Sequence, residues 1–217
     1  MSATATASQG SLKQQLLVNG GRSLGGTLKV SGAKNSALVL MTASLLSAET
    51  VELINIPALT DIEGMSAILQ TLGVEVERSQ DCVRLTARSL SSAEPPYELV
   101  NSLRASFFSI GPLLGRLGHA RVPLPGGCRI GARPVVEHIR GLKALGAMVN
   151  VDHGIVSATV PGTRRRLKGA HIVLDCPSVG ATETTPGSLC SWHDAQRAAA
   201  SFRPSQSRSS VGMWRAS

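Results

Sequence analysis

Apolar and polar positions alternate with two different periods along this chain. Lys34–Leu46 and Thr60–Leu72 carry apolar residues three and four positions apart, which predicts two helices, and Gly73 ends the second. Short stretches of alternating or β-branched residues predict strands. These strands are Gln15–Asn19, Thr27–Val30, Thr50–Asn55, Val74–Arg78 and Cys82–Ala87.

The order helix, strand, helix, hairpin then recurs. The second set is predicted at Ser102–Leu117, His119–Pro123, Pro134–Leu145, Ala147–Asp152 and Ile155–Val160. Two Leu-Gly helix ends, at Gly73 and Gly146, are 146 − 73 = 73 residues apart. The pattern predicts an α/β fold built from a duplicated βαβαββ-like unit, with a third unit beginning at Ala170. Chance similarity between two α/β stretches is the alternative.

The pattern changes after Glu183. Apolar periodicity disappears, both tryptophans lie beyond this point, and Pro186-Gly187 is expected to break the helix that should follow Gly180. We interpret residues 184–217 as an aberrant, disordered tail after a truncation or frameshift, with a natural disordered tail as the alternative. The predicted organisation is a disordered leader at 1–14, strands at 15–33, a domain at 34–183 and this tail.

Composition indicates a soluble globular protein with an aliphatic core. Of the 217 residues, 42% are hydrophobic and 17% charged, but only 3% are aromatic. The four cysteines show no CxxC spacing, which argues against a disulfide framework or a zinc site and favours reduced thiols in the cytoplasm. The polar N-terminus does not resemble a signal peptide, and no apolar run is long enough to span a membrane.

The net charge of +8 indicates anionic partners. Nucleic acid is disfavoured because the basic residues are not interleaved with aromatic ones. The run Arg164–Arg166 is interpreted as a solvated turn between two apolar segments.

Three cations stand where predicted helices begin. They are Lys34, Arg104 and Arg133. The helix dipole disfavours a cation at this end by roughly 0.3–1 kcal/mol, and a bound anion reverses that effect. A single cation at such a position would be interpreted as a chance surface residue. Three such cations, each beside a turn of small residues, predict an anionic ligand.

Cys128 lies between these cations in a Gly-rich loop. Neighbouring arginines and a helix N-terminus lower the pKa of a thiol, which favours a role as proton donor or nucleophile. The alternative is a small buried core residue, which is how we interpret Cys82 and Cys176. His138 is a secondary candidate because it lies in the first turns of the helix after Arg133.

Five segments resemble the UDP-N-acetylglucosamine 1-carboxyvinyltransferase family. They are Gly25–Leu38, Leu103–Ser106, Gly111–Leu114, Pro125-Gly-Gly-Cys-Arg-Ile-Gly-Ala-Arg-Pro134 and Pro177–Thr182. The resemblance implies an enolpyruvyl transferase fold, an inside-out α/β barrel of two domains, each with three βαβαββ units. One domain would be nearly complete here and the second missing, so that strands 15–33 lack their partner.

The resemblance also implies an activity: transfer of enolpyruvate from phosphoenolpyruvate to the 3-hydroxyl of UDP-N-acetylglucosamine, the first committed step of peptidoglycan synthesis. Cys128 would be the proton donor and the target of fosfomycin-like epoxides. Lys34, Arg104 and Arg133 would hold phosphate and carboxylate, with no metal or cofactor. The nucleotide sugar would contact Asn35, Pro134, Val135, Ser178, Val179 and Gly180.

Two departures from the family limit this prediction. After Val135 the family has Asp, whereas this chain has Val136 and Glu137. The family's carboxylate base comes from the second domain, so we expect the chain to be inactive alone. The alternatives are a non-catalytic basic module that binds nucleotides or nucleic acid, and a shikimate-branch transferase, which Cys128 disfavours.

Overall fold

The computed structural model describes residues 17, 20, 21, 23, 25–126, 135–162 and 167–189, with the side chains of 186–189 left out. The chain divides into two units, Met1–Val30 and Ser31–Ser217. The described part of the first unit contains no helix or strand. The strand predicted at Thr27–Val30 is therefore wrong: no described strand pairs with it, and Leu28 is 86% exposed. Apart from Leu17, the strand predicted at Gln15–Asn19 lies outside the described residues.

The second unit opens with a helix–strand–helix–hairpin set. Its elements are α1 (Lys34–Ala43), a 3₁₀ helix (Ser44–Leu46), β1 (Thr50–Leu53), α2 (Thr60–Thr71), β2 (Glu75–Ser79) and β3 (Cys82–Thr86). The strands form an antiparallel sheet in the order β1–β3–β2. Thr86 of the central strand lies opposite both Thr50 and Glu75, so the hairpin and β1 share one register.

A second set repeats this arrangement. It comprises α3 (Tyr97–Ser102), a 3₁₀ helix (Arg104–Ser109), α4 (Ile110–Leu117), β4 (His119–Pro123), α5 (Val136–Ala144), β5 (Met148–Asp152) and β6 (Ile155–Thr159). The sheet order, β4–β6–β5, matches that of the first set. Gly73 and Gly146 both adopt positive φ, at 98° and 90°, where the second helix of each set ends. The duplication is confirmed, but within the described residues each unit is αβαββ and not βαβαββ, because no strand lies between residue 25 and α1 or between β3 and α4.

The single helix predicted at Ser102–Leu117 is broken in the structure. Leu103 is extended, with φ −130° and ψ 107°, and a 3₁₀ turn separates it from α4. Pro112 explains where α4 begins, because its ring clashes with the carbonyl four residues earlier in an α-helix. Arg104 therefore begins a 3₁₀ helix and not an α-helix.

The core of the second unit is aliphatic, as predicted. The largest fully buried side chains are Met41, Leu45, Ile62, Met65, Ile68, Leu69, Leu72, Leu85, Ile110, Leu113, Leu114 and Leu142. Burial of each such side chain contributes roughly 1.5–3 kcal/mol. The core lies between the helices and the inner faces of the sheets.

Arg116 of α4 joins three segments of this core. Its guanidinium donates to the carbonyls of Leu45 at 2.7 Å, Ser47 at 3.2 Å and Arg88 at 3.0 Å, and also to Ala87. These carbonyls lie at the end of the first 3₁₀ helix and directly after β3. One side chain thus fixes the end of the first set to the start of the second.

Helix α6 (Val179–Leu189) continues past the predicted break at Pro186-Gly187, which is therefore wrong. Pro186 removes one backbone N–H from the helix, but the preceding turn is held by packing. A Cβ at Gly111 would overlap the carbonyl of Thr184, and one at Gly141 would overlap the side chain of Thr185. The absence of Cβ atoms thus lets α6 approach α4 and α5 closely.

The predicted boundary after Glu183 falls inside α6. Thr184 is 1% exposed and belongs to the packed unit. Residues 190–217 and the run Arg164–Arg166 lie outside the described residues, so the domain boundaries stay predictions.

Candidate functional site

The loop with the candidate nucleophile connects β4 to α5. Cys128, Arg133 and Pro134 lie outside the described residues, but both ends of the loop are described. At the first end, Leu124 donates its N–H to Gly154 at 2.7 Å, and a Cβ at Gly126 would overlap the side chain of Asn101. At the second end, the Val135 carbonyl accepts the N–H of Ile139 at 3.0 Å in the first turn of α5. Both ends are therefore fixed by the fold.

Lys34 is the first residue of α1, as predicted. The preceding Gly32 brings the chain against the carbonyl of Asn55, where a Cβ would overlap. The Lys34 Nζ lies 2.5 Å from the Asp61 Oδ2, in the first turn of α2, and the two side chains are 44% and 38% exposed. An ion pair this exposed contributes about 0–1 kcal/mol, so an anionic ligand can compete with Asp61 for the ammonium group.

Arg104 begins the 3₁₀ helix Arg104–Ser109, against which α1 and α6 both pack. It is partly buried, and its positive charge acts on His138 of α5. The guanidinium offers five N–H donors in a planar fork suited to phosphate and carboxylate.

His138 lies where three elements meet. Its ring makes an edge contact with Phe107, with centroids 5.2 Å apart, and a tilted contact with Phe108 at 6.5 Å. Its Nδ1 lies 2.9 Å from the hydroxyl of Thr184 on α6. Burial, followed by the charge of Arg104, lowers the pKa of His138 to about 4. The imidazole is therefore neutral at neutral pH, and Arg104 provides the positive charge here.

Ser178, Val179 and Gly180 form the N-terminal end of α6. The hydroxyl of Ser178 accepts the N–H of Ala181 at 3.2 Å, an N-cap that satisfies one free donor of the first turn. Val179 is 75% exposed. A Cβ at Gly180 would lie 3.0 Å from Phe108 and 3.2 Å from His138, so only glycine fits there without a shift of both rings.

The structure thus brings together several of the predicted residues. The 3₁₀ helix of Arg104 contacts α1, which carries Lys34 and the exposed Asn35, and α6, which begins at Val179. His138 on α5 connects Arg104 to Gly180. Val135 stands just before α5 and packs on the core. His138 is only a secondary candidate in the sequence, because the residues that it contacts lie 30 to 46 positions away along the chain.

Glu137 was missed as a candidate. It is 7% exposed, whereas its neighbour Val136 is 54% exposed. A buried carboxylate is unusual unless it is paired, and Glu137 contacts both Arg140 and the backbone of Asp175. The sequence gives one signal: Glu137 is a charged residue at the second position of α5, on the face of that helix that is buried.

The two described cysteines, Cys82 and Cys176, have different settings. Cys82 donates to Glu52 at 3.3 Å, and burial and then this carboxylate raise the pKa of its thiol. Cys176 is exposed, so the prediction that it packs in the core is wrong. Within the described ranges, no group of three or more His, Cys, Asp or Glu residues could hold a metal ion. None of the described helices has the length and apolar character needed to cross a membrane.

Comparison with known proteins decides the family. Residues 18–185 match the family described as EPSP synthase (3-phosphoshikimate 1-carboxyvinyltransferase). The chain belongs to this enolpyruvyl transferase family. The match includes every described residue of the site.

Relatives within the family carry the name that the sequence motifs predicted. The UDP-N-acetylglucosamine 1-carboxyvinyltransferase of Synechococcus sp. (strain CC9605) is 79% identical over 184 residues, 85% of this chain and 42% of that protein. The protein of the same name from Trichormus variabilis (strain ATCC 29413 / PCC 7937) is 54% identical over 169 residues. The predicted resemblance is confirmed, and the chain spans about two fifths of the length of these relatives.

Solved structures confirm the fold of this family member. The enolpyruvyl transferase NikO from Streptomyces tendae superposes with a TM-score of 0.56 at 22% identity, covering 69% of this chain and 32% of NikO. EPSP synthase from Acinetobacter baumannii gives 0.57 at 18% identity, covering 76% of this chain and 38% of that one. The predicted enolpyruvyl transferase-like α/β fold is therefore confirmed.

Proposed function

We propose that this chain provides the site residues for transfer of enolpyruvate from phosphoenolpyruvate to the 3-hydroxyl of UDP-N-acetylglucosamine, with release of phosphate. The observation that carries the proposal is the meeting of Arg104, His138 and the start of α6, in a chain 79% identical to a relative of that name. The reaction is the first committed step of peptidoglycan synthesis, and it would give the protein a role in cell-wall formation, cell shape and division.

The cations would bind the phosphate and carboxylate of phosphoenolpyruvate. Arg104 provides a planar fork of N–H donors beside a neutral histidine, so the guanidinium is the cation at this point of the site. Lys34 would exchange its exposed partner Asp61 for the ligand. Arg133 would add a third charge from the loop before α5.

The nucleotide sugar would lie along the helix starts. Ser178, Val179 and Gly180 present an N-capped helix end, whose partial positive charge suits a diphosphate. Val135 precedes α5, and Asn35 is exposed beside Lys34 on α1. Pro134 would complete this contact with the nucleotide.

Cys128 would act as the acid of the reaction. The sugar hydroxyl would add to C2 of phosphoenolpyruvate and give its proton to the carboxylate base expected from the second domain, while the thiol gives a proton to C3, which forms a tetrahedral intermediate. Loss of a proton from C3 and of phosphate from C2 then restores the double bond. The same thiol would open fosfomycin-like epoxides. These steps transfer no electrons to a separate acceptor, and the reduced thiols of Cys82 and Cys176 suit a cytoplasmic location.

A chimaeric protein tests the proposal. Residues 17–183 of this chain replace the corresponding segment of the Synechococcus relative, and phosphate release from phosphoenolpyruvate is measured with and without UDP-N-acetylglucosamine. We expect release that depends on the sugar nucleotide and falls at least ~100-fold in Cys128→Ala, since loss of an acid of this kind typically costs 10²–10⁴. Cys82→Ala is the matched control and should keep its activity. A folded chimaera without release, or one indifferent to Cys128→Ala, would contradict the proposal.

A further inference from the structure

Glu137 is a buried carboxylate that the proposed reaction does not use. It is the second residue of α5, and its side chain is 9% exposed. Its Oε2 accepts the backbone N–H of Asp175 at 3.2 Å and lies 3.6 Å from the Nε of Arg140. Arg140 in turn pairs with the carboxylate of Asp175. Glu137 and Arg140 together hold both the backbone and the side chain of Asp175.

Asp175 stands just before the segment proposed to contact the nucleotide sugar. On the other side of that segment, His138 contacts the hydroxyl of Thr184 at 2.9 Å. Consecutive residues of α5 therefore fix the chain on both sides of Ser178–Gly180. The turn between Asp175 and Ser178 contains no other described side-chain hydrogen bond to α5.

Stability alone does not account for a buried carboxylate whose partner Arg140 is 41% exposed. Removing the Glu137 carboxylate from water offsets much of its attraction to Arg140, and an apolar residue of similar volume often serves stability as well or better. Leucine has a similar volume and favours a helical position. The hydrogen bond to the Asp175 N–H, by contrast, specifies one geometry for the turn.

We propose that Glu137, acting through Arg140 and Asp175, is a positioning residue that holds Ser178–Gly180 in the conformation that receives the nucleotide sugar. The inference rests on the proposed function. Without this network the turn has more conformations, and binding must select one of them, which weakens affinity without removing any direct contact to the ligand.

Three variants of the 217-residue chain test the inference. Glu137→Leu removes both interactions, whereas Glu137→Gln keeps a carbonyl that can accept the Asp175 N–H. Glu63→Leu is the matched control, because Glu63 also lies in the first turn of a helix, is exposed, and is 3.7 Å from Arg78. The measurements are the dissociation constant for UDP-N-acetylglucosamine by calorimetry, the melting temperature, and hydrogen exchange at the amide of Asp175.

We expect Glu137→Leu to bind UDP-N-acetylglucosamine about tenfold more weakly and Glu137→Gln to recover part of that loss. Neither should melt much below the parent, and Glu63→Leu should bind as the parent does. Exchange at the Asp175 amide should accelerate about tenfold in Glu137→Leu. If the role of Glu137 were purely structural, the variants would lose affinity for UDP-N-acetylglucosamine only as far as their melting temperature falls.

The possible failures are distinguishable. If the parent chain binds the nucleotide sugar and Glu137→Leu binds it equally well, the inference is overturned while the proposed function stands. If the parent does not bind, the proposed use of Ser178–Gly180 by this chain is contradicted. Hydrogen exchange at the Asp175 amide then still tests whether Glu137 orders the turn. An unchanged exchange rate in Glu137→Leu would overturn the positioning role of Glu137 too.

Discussion

His138 illustrates at the scale of one residue how burial changes the chemistry of a side chain. The imidazole is packed against Phe107 and hydrogen-bonded to Thr184, and its pKa is lowered to about 4. A protonated ring would stand in an apolar setting beside the positive charge of Arg104. The neutral ring leaves Arg104 as the charged group for an anion.

This pKa predicts a loss of stability in acid. The unfolded chain binds a proton at His138 near pH 6.5, whereas the folded chain does so only at about 4. Between these values the unfolded state holds more protons, so the free energy of unfolding falls as the pH drops. From about pH 7 to about pH 5 the loss should be on the order of 2 kcal/mol. His138→Gln, which can still bond to Thr184, should remove this loss; the other four histidines, His119, His153, His171 and His193, are common to both proteins.

Urea denaturation of the two proteins at both pH values makes the comparison. Equal losses of stability in the parent and in His138→Gln would show that His138 is not the buried neutral group.

The sequence predicts some of these residues and not others, for a physical reason. Lys34 was found from local signals, a small-residue turn followed by a helical period, and it begins α1 as predicted. His138 and Glu137 depend on contacts with residues near 175 and 184, which arise only when α6 packs on α5. No local pattern encodes such a contact.

At the scale of elements, helix signals in the sequence fail in both directions. Helical spacing over Ser102–Leu117 predicts one helix, but the extended Leu103 and the 3₁₀ helix after it divide the segment. Pro186-Gly187 predicts a break, but α6 continues through it. In the second case, the close approach of α6 to Gly111 and Gly141 supplies contacts that propensity does not include.

Two Gly→Ala changes should have opposite effects on the free energy of unfolding, because only Gly111→Ala places a Cβ in the contact between α4 and α6. Gly111→Ala places a Cβ against the carbonyl of Thr184 and should destabilise the protein by about 1–3 kcal/mol, because α6 must move away. Gly64→Ala in α2 meets only the Leu103 side chain, at an ordinary 3.7 Å, and should stabilise it by about 0.5–1 kcal/mol. Chemical denaturation measures both. A neutral Gly111→Ala would mean that α6 does not pack as described.

At the scale of the whole molecule, duplication was the most predictable feature. The 73-residue spacing of Gly73 and Gly146 reflects two helix ends with the same left-handed conformation, and both sets form sheets of the same strand order. The sequence does not show how the two sets are joined. That connection depends on Arg116, whose carbonyl partners lie 28 to 71 positions away.

Arg116→Met should therefore destabilise the molecule far more than a similar change at the surface. It leaves the carbonyls of Leu45 and Ala87 without this donor, and the expected loss is about 2–4 kcal/mol. Arg121→Met is the control: Arg121 is exposed and pairs with Glu94 at 3.1 Å, so its loss should be within about 1 kcal/mol. Thermal unfolding of the two variants compares them, and similar melting temperatures would refute the role given to Arg116.

The central claim is that Lys34, Arg104 and the start of α6 form the part of an enolpyruvyl transferase site that this chain provides. Titration of the ¹⁵N-labelled 217-residue chain with UDP-N-acetylglucosamine, followed by two-dimensional NMR, tests it most directly. The account predicts saturable shifts at the amides of Ser178, Val179 and Gly180, with phosphoenolpyruvate then shifting those of Lys34 and Arg104. Shifts confined to the outer strands β2 and β5, or no shifts at millimolar ligand, would contradict it.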